Sequence, residues 1–394
     1  MFRGRLSGKG FGMLLRFFIL FLVGVGVIAA GESAGLDGSE LEAKLESITL
    51  PPGFAISVYA DNLPKARSLA VGDEGTVFVS TRSDDKVYAV VDTDGDWRAD
   101  ETHVVFTLGD VGDGKERTMP NGVAFRDGDL YIATSTTVMR LDDIESRLSD
   151  PPKPVVINGD FPSERQHSWK FIAFGPDDKL YVPVGTPCNI CDPEEDIYGT
   201  ISRMNVDGSG REMVAQGIRN TLGFDWHPET GELWFTENGA DQMGQDIPAD
   251  ELNVVTVLGQ HFGNPFVHEG DILDGTFGEG HDPDDYVRPA IKLGPHVAAL
   301  GMRFYTGKMF PVEYRNQIFI AEHGSGGRDP LIGYRVTLVR VDGSEATAYE
   351  DFATGWIEGD SAWGRPVDVA TLPDGSMLVS DDRAGAVYRI TYGE

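Results

Sequence analysis

One arrangement of apolar and polar positions recurs along the chain: an apolar strand, a turn carrying Asp or Gly, then a second strand of the Leu-Tyr-Val kind. Six copies are present, at Leu69–Ser80 (LAVGDEGTVFVS), Gly122–Ala133 (GVAFRDGDLYIA), Ile172–Val184 (IAFGPDDKLYVPV), Leu222–Thr236 (LGFDWHPETGELWFT), Leu300–Ala321 (LGMRFYTGKMFPVEYRNQIFIA) and Val369–Ser380 (VATLPDGSMLVS). Most are followed by a third apolar segment such as VYAVVD, VMRLDD, ISRMNVD, ELNVVT, TLVRVD or VYRITY. Alternating apolar residues suit strands whose sheets stack face to face, and Asp-Gly pairs suit tight hairpin turns. Each copy therefore reads as a small antiparallel sheet. Such a sheet cannot bury both faces alone, but six arranged radially bury one another. The pattern predicts an all-β, six-bladed β-propeller over residues 46–394, whereas a two-sheet sandwich has no reason to repeat one hairpin six times. The segment PPGFAISVYA (51–60) precedes the first copy and is expected to pair with Val387–Tyr392, closing the ring and covering an exposed edge.

The first thirty residues break this pattern. Arg3, Arg5, Lys9 and Arg16 stand without an acid, Phe17–Ala30 is apolar, and Ala29, Ala30 and Gly31 are small. This is the form of a secretory signal, and the run is short of the roughly 20 residues of a membrane span. The reading is a signal peptide over 1–30, a linker over 31–45 and a periplasmic or secreted domain. An uncleaved anchor is the alternative, and membrane attachment is expected only in that case. In an oxidising compartment Cys188 and Cys191, the two cysteines of the chain, are expected to staple their loop with a disulfide. Two thiolates alone make a poor zinc site. The 49 Gly and 22 Pro suit short strands and tight turns.

The chain holds 63 acidic and 33 basic residues, net −30; without residues 1–30, which hold four bases and no acid, the balance is 63 − 29, or −34. Nucleic acid is excluded as a natural partner, and an acidic surface favours solubility, cation binding and a positively charged protein partner.

Chemistry is expected in the insertions between copies, because propellers gather their long loops at one mouth of the channel. These are Glu164–Trp169, Gln216–Asn220, Glu237–Asn253, Ala321–Arg340 and Ala362–Val367. His167 stands just before an inner strand, where an imidazole can take a proton from a substrate hydroxyl at neutral pH; a histidine bonded to a neighbouring carbonyl is the other reading. Arg219 and Asn220 hold the equivalent place one blade on, and Arg365 holds it before the last copy. A guanidinium fork can bind a carboxylate or a quinone oxygen, or simply pair with one of the many acids. The segment TENGADQMGQDIPADELNVV offers carboxylates, among them Asp250 and Glu251, and carbonyls around Gly239 and Ala240. Oxygen ligands of this kind suit calcium, the alternative being a solvated acidic loop. DTDGDWRAD (92–100) echoes a calcium loop but has Trp97 where a sixth-position Gly belongs, and reads as a hairpin tip. The strained Gly-x-Ser-x-Gly turn of serine hydrolases, a phosphate loop and a dinucleotide fingerprint are all absent.

Taken together, PNGVAF (120–125), His167 with FIAFGPDDKLYVPVG (171–185), GIRNTLGFDWHP (217–228), TENGAD with ADELNVV (236–255), GQHFGNP (259–265) and FIAEHGSGGR (319–328) resemble the soluble glucose, aldose sugar and sorbosone dehydrogenases that use pyrroloquinoline quinone (PQQ). The resemblance covers the chain from residue 46 onward, and the Cys188–Cys191 loop looks most like the sorbosone branch. It implies a propeller that binds PQQ and Ca2+ at its mouth and oxidises an aldose C1 hydroxyl to a lactone, or a sugar aldehyde to an acid. It further implies His167 as general base, Arg219 polarising the quinone oxygen, Asn121, Asn220 and Arg365 holding the cofactor with Arg328 as a further cation, and Gly239 and Ala240 carbonyls on calcium. A cytochrome-like electron acceptor would suit the acidic surface. Two departures stand out: Thr186 is the polar residue offered where glucose-type members carry Asp, and HGSGGR lacks the Trp-Asn of many sorbosone-type relatives. A calcium-dependent propeller lactonase and a non-catalytic binding propeller are the competing readings.

Overall fold

The computed structural model describes residues 36–110, 119–325 and 328–393; the leader segment lies outside them. The strands form six four-stranded antiparallel blades, the third extended by a fifth strand, together with two short hairpins. Blade 1 is Ala66–Val71, Val77–Thr81, Lys86–Val91 and Glu101–Thr107. Blade 2 is Gly122–Arg126, Asp129–Ala133, Val138–Leu141 and Val155–Asn158. Blade 3 is Ala173–Phe174, Leu180–Val184, Thr200–Met204 and Glu212–Gln216, with Gln260–His261 added in parallel. Blade 4 is Phe224–Trp226, Leu233–Glu237, Ala249–Val255 and Ile291–Pro295. Blade 5 is Ala299–Phe304, Ile318–Glu322, Arg335–Asp342 and Glu345–Ala353. Blade 6 is Pro366–Thr371, Met377–Asp381, Ala386–Tyr392 and Phe54–Ala60.

The expected closure is present: Phe54 pairs with Tyr392 and Ile56 with Ile390, so the start of the domain supplies the outer strand of the last blade. Each of the six repeats is the first hairpin of a blade. What the repeat did not reveal is the outer strand. In blades 1, 2, 3 and 5 it is polar or exposed over about half its length, as in Glu101–Thr107 and Glu345–Ala353, so it carries no continuous apolar signal; in blade 4 it is the five-residue Ile291–Pro295, broken by Lys292 and Gly294. Within the stretch 31–45, Gly38–Leu45 forms a helix with an Asp37/Glu40 capping box, and Leu41 and Leu45 are buried. The Asp92–Asp100 segment joins the third and fourth strands of blade 1, its carboxylates accepting backbone N–H bonds within the loop.

The core is divided as a propeller requires, one apolar cluster between each pair of neighbouring blades. Phe171, Phe224 and Tyr181, for example, fill the gap between blades 3 and 4, with Phe171 and Phe224 edge to face at 4.8 Å. Truncating such a ring to Ala would cost about 3–5 kcal/mol. A small seventh cluster of Leu222, Leu300 and Val367, with Trp169 against it, draws on the segments that lead into blades 3 to 6. Among the described residues no helix is long and apolar enough to cross a membrane.

Candidate functional site

In every blade the start of the innermost strand lies beside the end of the second, as in Ala66 opposite Thr81 and Pro366 opposite Asp381. These ends meet in a closed circuit of polar bonds. Ser380 Oγ donates to Arg67 O at 2.5 Å, Ser80 Oγ to Asn121 O at 2.5 Å, and Asn121 Nδ2 to Lys170 O at 3.3 Å. Thr186 N donates to Arg219 O at 2.9 Å, Asn238 Nδ2 to Ala299 O at 2.7 Å, and His323 Nε2 to Asp382 at 3.1 Å. Each bond crosses from one blade to the next, so all six sets of ends define one mouth.

On the blade 3 and 4 side of that mouth is a cavity of about 180 Å³ lined by His167, Arg219, Asn220, Asn238, Gly239, Asp241, Asp250, His296, Ala298, Gly324 and Ser325. The larger hollow formed by Val104–Thr107 with Pro151–Pro154 lacks this density of polar groups. His167 sits in the left-handed region with φ +50°, as do His296 and Ala298. Three non-glycine residues held there, each costing about 1–3 kcal/mol, cluster at this cavity. The His167 Nδ1–H donates to Thr186 O at 2.9 Å, which leaves Nε2 as the basic nitrogen. Burial first, then the Arg219 charge, holds the imidazole down at about 4, while Thr186 and Asp241 oppose the shift. The neutral form therefore dominates at ordinary pH. Gly185 makes this fit possible: a Cβ there would lie 2.5 Å from His167 Cβ and 3.0 Å from Arg219 O.

Arg219 is buried and almost fully engaged. Nε donates to Asn189 O at 2.9 Å, Nη2 to Asn189 Oδ1 at 2.7 Å and to Asp241 Oδ2 at 2.9 Å, and Nη1 to Asn238 O at 3.1 Å. Of its five N–H groups one remains, on Nη1. Asn189 lies inside the Cys188–Cys191 loop, and the expected disulfide is formed. The staple thus bears on the site through Asn189, whose Oδ1 also accepts Asp241 N at 2.9 Å and whose Nδ2 donates to Asp241 O at 2.8 Å. Thr186 Oγ1 donates to Cys188 O at 3.0 Å, tying the same loop to the carbonyl that orients His167.

The residues singled out in the sequence divide into groups. His167, Arg219, Asn220, Gly239 and Asp250 share the cavity. Both Asp250 oxygens serve backbone amides, Oδ1 that of Gly239 at 2.8 Å and Oδ2 that of Ala299 at 3.2 Å, and burial raises its carboxyl to about 6. Asn121 and Arg365 stand on the rim, Asn121 Oδ1 accepting from Arg67 Nε at 3.2 Å and Arg365 Nε donating to Asp382 at 2.9 Å. Arg328 is not brought to the cavity: it bonds Gln245 O and Asp246 Oδ1 and lines a separate hollow with Asp329–Leu331, Ile357, Gly359 and Asp360. Ala240 and Glu251 lie behind the cavity with Glu237, Asn264 and Glu269 around a small enclosed space. Glu237 and Glu251 are register partners on adjacent strands. Burial and their mutual repulsion push Glu237 well above the carboxylate range, and burial takes Glu251 to about 7. Asn253 bonds both carboxylates through Nδ2, while its Oδ1 and that of Asn264 are buried without a partner. Asn189, Asn238 and Asp241 come from loops after second strands and were missed, though Asn238 sits directly behind the second strand of blade 4, a signal that could have found it; His296 stands just ahead of the inner strand of blade 5, the placement that marked His167, and could have been found by the same rule.

Comparison with known proteins bears on the fold and the family. The family model described as Glucose / Sorbosone dehydrogenase matches residues 129–325, and a TrAA12-like model matches 263–393. An uncharacterized protein of Borreliella burgdorferi is 30% identical over 370 residues, 88% of this chain and 91% of its own. The pyrroloquinoline quinone-dependent pyranose dehydrogenase of Coprinopsis cinerea is 32% identical over 124 residues, 26% of this chain and 16% of that protein. Among solved structures, a Trichoderma reesei carbohydrate-active enzyme of family AA12 superposes with TM-score 0.74 at 17% identity, covering 88% of this chain and 97% of that one. The PQQ domain of the Coprinopsis cinerea pyranose dehydrogenase gives 0.71 at 18% identity, covering 87% and 97%. The PQQ-bound aldose sugar dehydrogenase of Streptomyces coelicolor gives 0.62 at 19%, covering 87% and 99%. Six blades, a polar mouth and these matches lead to one placement: the chain belongs to the glucose/sorbosone dehydrogenase family.

Proposed function

We propose that the chain is a PQQ-dependent sugar dehydrogenase that oxidises an aldose at C1, or a sugar aldehyde such as sorbosone, with His167 as general base. The observation that carries this reading is the His167 imidazole, its Nδ1–H committed to Thr186 O and its Nε2 without a hydrogen-bond partner among the described residues, in a cavity shared with Arg219 and Asn220. A base must be unprotonated to act, and burial keeps this one so. His167 takes the hydroxyl proton; Arg219, fixed by Asn189, Asn238 and Asp241, sets a positive field against charge that develops on oxygen.

The donor set suits the implied groups. The cavity presents guanidinium and amide donors, as a planar, oxygen-rich cofactor requires, and Asn121, Asn220 and Arg365 are assigned to hold it. Bound there, PQQ would supply a quinone able to accept the hydride of the substrate C–H bond. Arg328, tied up outside the cavity, is left out of the set. For calcium, Glu237, Glu251, Glu269 and the unpartnered Asn264 Oδ1 line the small space behind the cavity and are oxygen ligands of the kind that ion takes, with Arg219 at its edge. Gly239 and Ala240 carbonyls lie beside it, and Gly239 and Asp250 reach the cavity itself. The disulfide favours a periplasmic or secreted setting, and the net charge of −30 favours a basic electron acceptor such as a cytochrome.

The test is dye-linked oxidation of a panel of aldoses and sugar aldehydes by the apoprotein with PQQ and Ca2+, added singly and together. Turnover that needs both supports the reading; no turnover, with an unchanged PQQ absorption spectrum on mixing, rejects it.

A further inference from the structure

Across the mouth from His167, on the blade 6 and 1 side, two arginines and a histidine crowd around a single acid. Asp382 accepts Arg67 Nη1 at 3.1 Å, Arg365 Nε at 2.9 Å and His323 Nε2 at 3.1 Å. Burial alone would raise its carboxyl, but His323, Arg67 and Arg365 together hold it well below the ordinary range. Asp382 is thereby fully used. Arg82, at the end of the second strand of blade 1, stands next to this group without a share in it.

The Arg82 guanidinium lies 4.0 Å from the centroid of the Trp169 ring, with Arg67 at 5.3 Å from the same ring. Trp169 packs against Leu222, Leu300 and Val367, which fixes the indole in the floor of the mouth two residues from His167. Among the described residues the Arg82 side chain makes no hydrogen bond and no ion pair. In a chain with 63 acids and 33 bases, a partly buried arginine that feels the Asp382 charge but bonds no acid among the described residues is unusual. Stacking holds the guanidinium plane and leaves its N–H edge, the part that recognises carboxylates in a two-pronged manner, unused.

We infer that Arg82, stacked on Trp169, is a carboxylate-binding site in the floor of the mouth. This rests on the proposed function only in the identity of the ligand. The carboxylate belongs either to the quinone cofactor or to an acidic sugar, and the chemistry is the same in both cases: a planar anion meeting a pre-oriented fork next to further positive charge from Arg67 and Arg365.

The experiment titrates the apoprotein with PQQ, with galacturonate and with glucose, following Trp fluorescence and calorimetry, for the wild-type chain, Arg82→Gln and Arg82→Lys. Circular dichroism and Tm confirm that the variants fold. A loss of affinity of about ten- to a hundredfold for PQQ in Arg82→Gln, with partial recovery in Arg82→Lys, assigns the site to the cofactor. The same loss for galacturonate, with glucose and PQQ unaffected, assigns it to an acidic substrate. Folded variants whose affinities for PQQ and galacturonate both stay within twofold of wild type overturn the inference, as does a wild-type chain that binds neither. A wild-type chain that binds galacturonate through Arg82 but not PQQ upholds the site and counts against the quinone reading instead.

Discussion

The two sides of the mouth use arginine in opposite ways. On the blade 3 and 4 side, Arg219 spends four N–H groups on Asn189, Asn238 and Asp241; on the blade 6 and 1 side, the Arg82 side chain spends none on the described residues and lies against an indole face instead. A guanidinium locked by protein acceptors gives a fixed field at a fixed point, which suits stabilising charge that appears during a reaction. One held by stacking keeps its donors for a ligand. Under the proposed function, the difference separates a reaction side, where His167 and Arg219 are immobilised, from a recognition side, where binding completes the hydrogen bonding.

The largest effect expected from breaking this division is on the reaction side. His167→Ala should lower kcat by about 10²–10⁴ while leaving PQQ affinity unchanged, measured by dye reduction and spectral titration. Arg219→Lys should come next, on the order of a hundredfold in kcat, because a point charge cannot take up the forked bonds to Asn189 and Asp241. Asn189→Ala, or the paired Cys188→Ser and Cys191→Ser change, frees the Arg219 fork and should cost about tenfold in kcat with KM little altered. A purely structural staple would move Tm and leave kcat alone.

Calcium removal sharpens the comparison from behind the cavity. With Glu237 and Glu251 facing each other, chelation should lower Tm by roughly 5 °C in a thermal scan, and Glu251→Gln should shrink that difference. The smallest effect concerns pH. Protonation of His167 abolishes its role as base, so activity should fall as pH drops through about 4 rather than through the ordinary imidazole value near 6.5. Arg219 and Asp241 face the ring, and Asp241→Asn should move the midpoint further down, since its charge supports protonation. A pH–rate profile of both proteins checks the sign.

The fold was legible because the inner hairpin of each blade is buried on both faces and writes its apolar pattern into the chain, from Leu69–Ser80 to Val369–Ser380. The outer strands were not, since Glu101–Thr107 and Glu345–Ala353 are exposed over much of their length and carry no continuous apolar run. The site was half legible for a geometric reason. Residues ahead of inner strands, such as His167, Arg219, Asn220 and Arg365, stand out beside a strong repeat. The opposite half of the mouth comes from residues just after second strands, and Arg82, Thr186, Asn238, His323 and Asp382 look like ordinary loop polars until pairing sets them beside the first group. Asn189 is a third case: only the disulfide turn brings it to Arg219. Arg328 shows the converse, a residue in a promising motif whose side chain is claimed by Gln245 and Asp246 outside the cavity.

The central claim is that PQQ binds at this mouth and that His167 is the base for sugar oxidation there. Its most direct test is reconstitution of wild type and His167→Ala with PQQ and Ca2+, following the cofactor spectrum and sugar-dependent dye reduction in the same cuvette. The account predicts equal cofactor binding by the two proteins, with turnover in the wild type alone. Turnover retained by His167→Ala, or a wild-type chain that leaves the PQQ spectrum untouched, would contradict it.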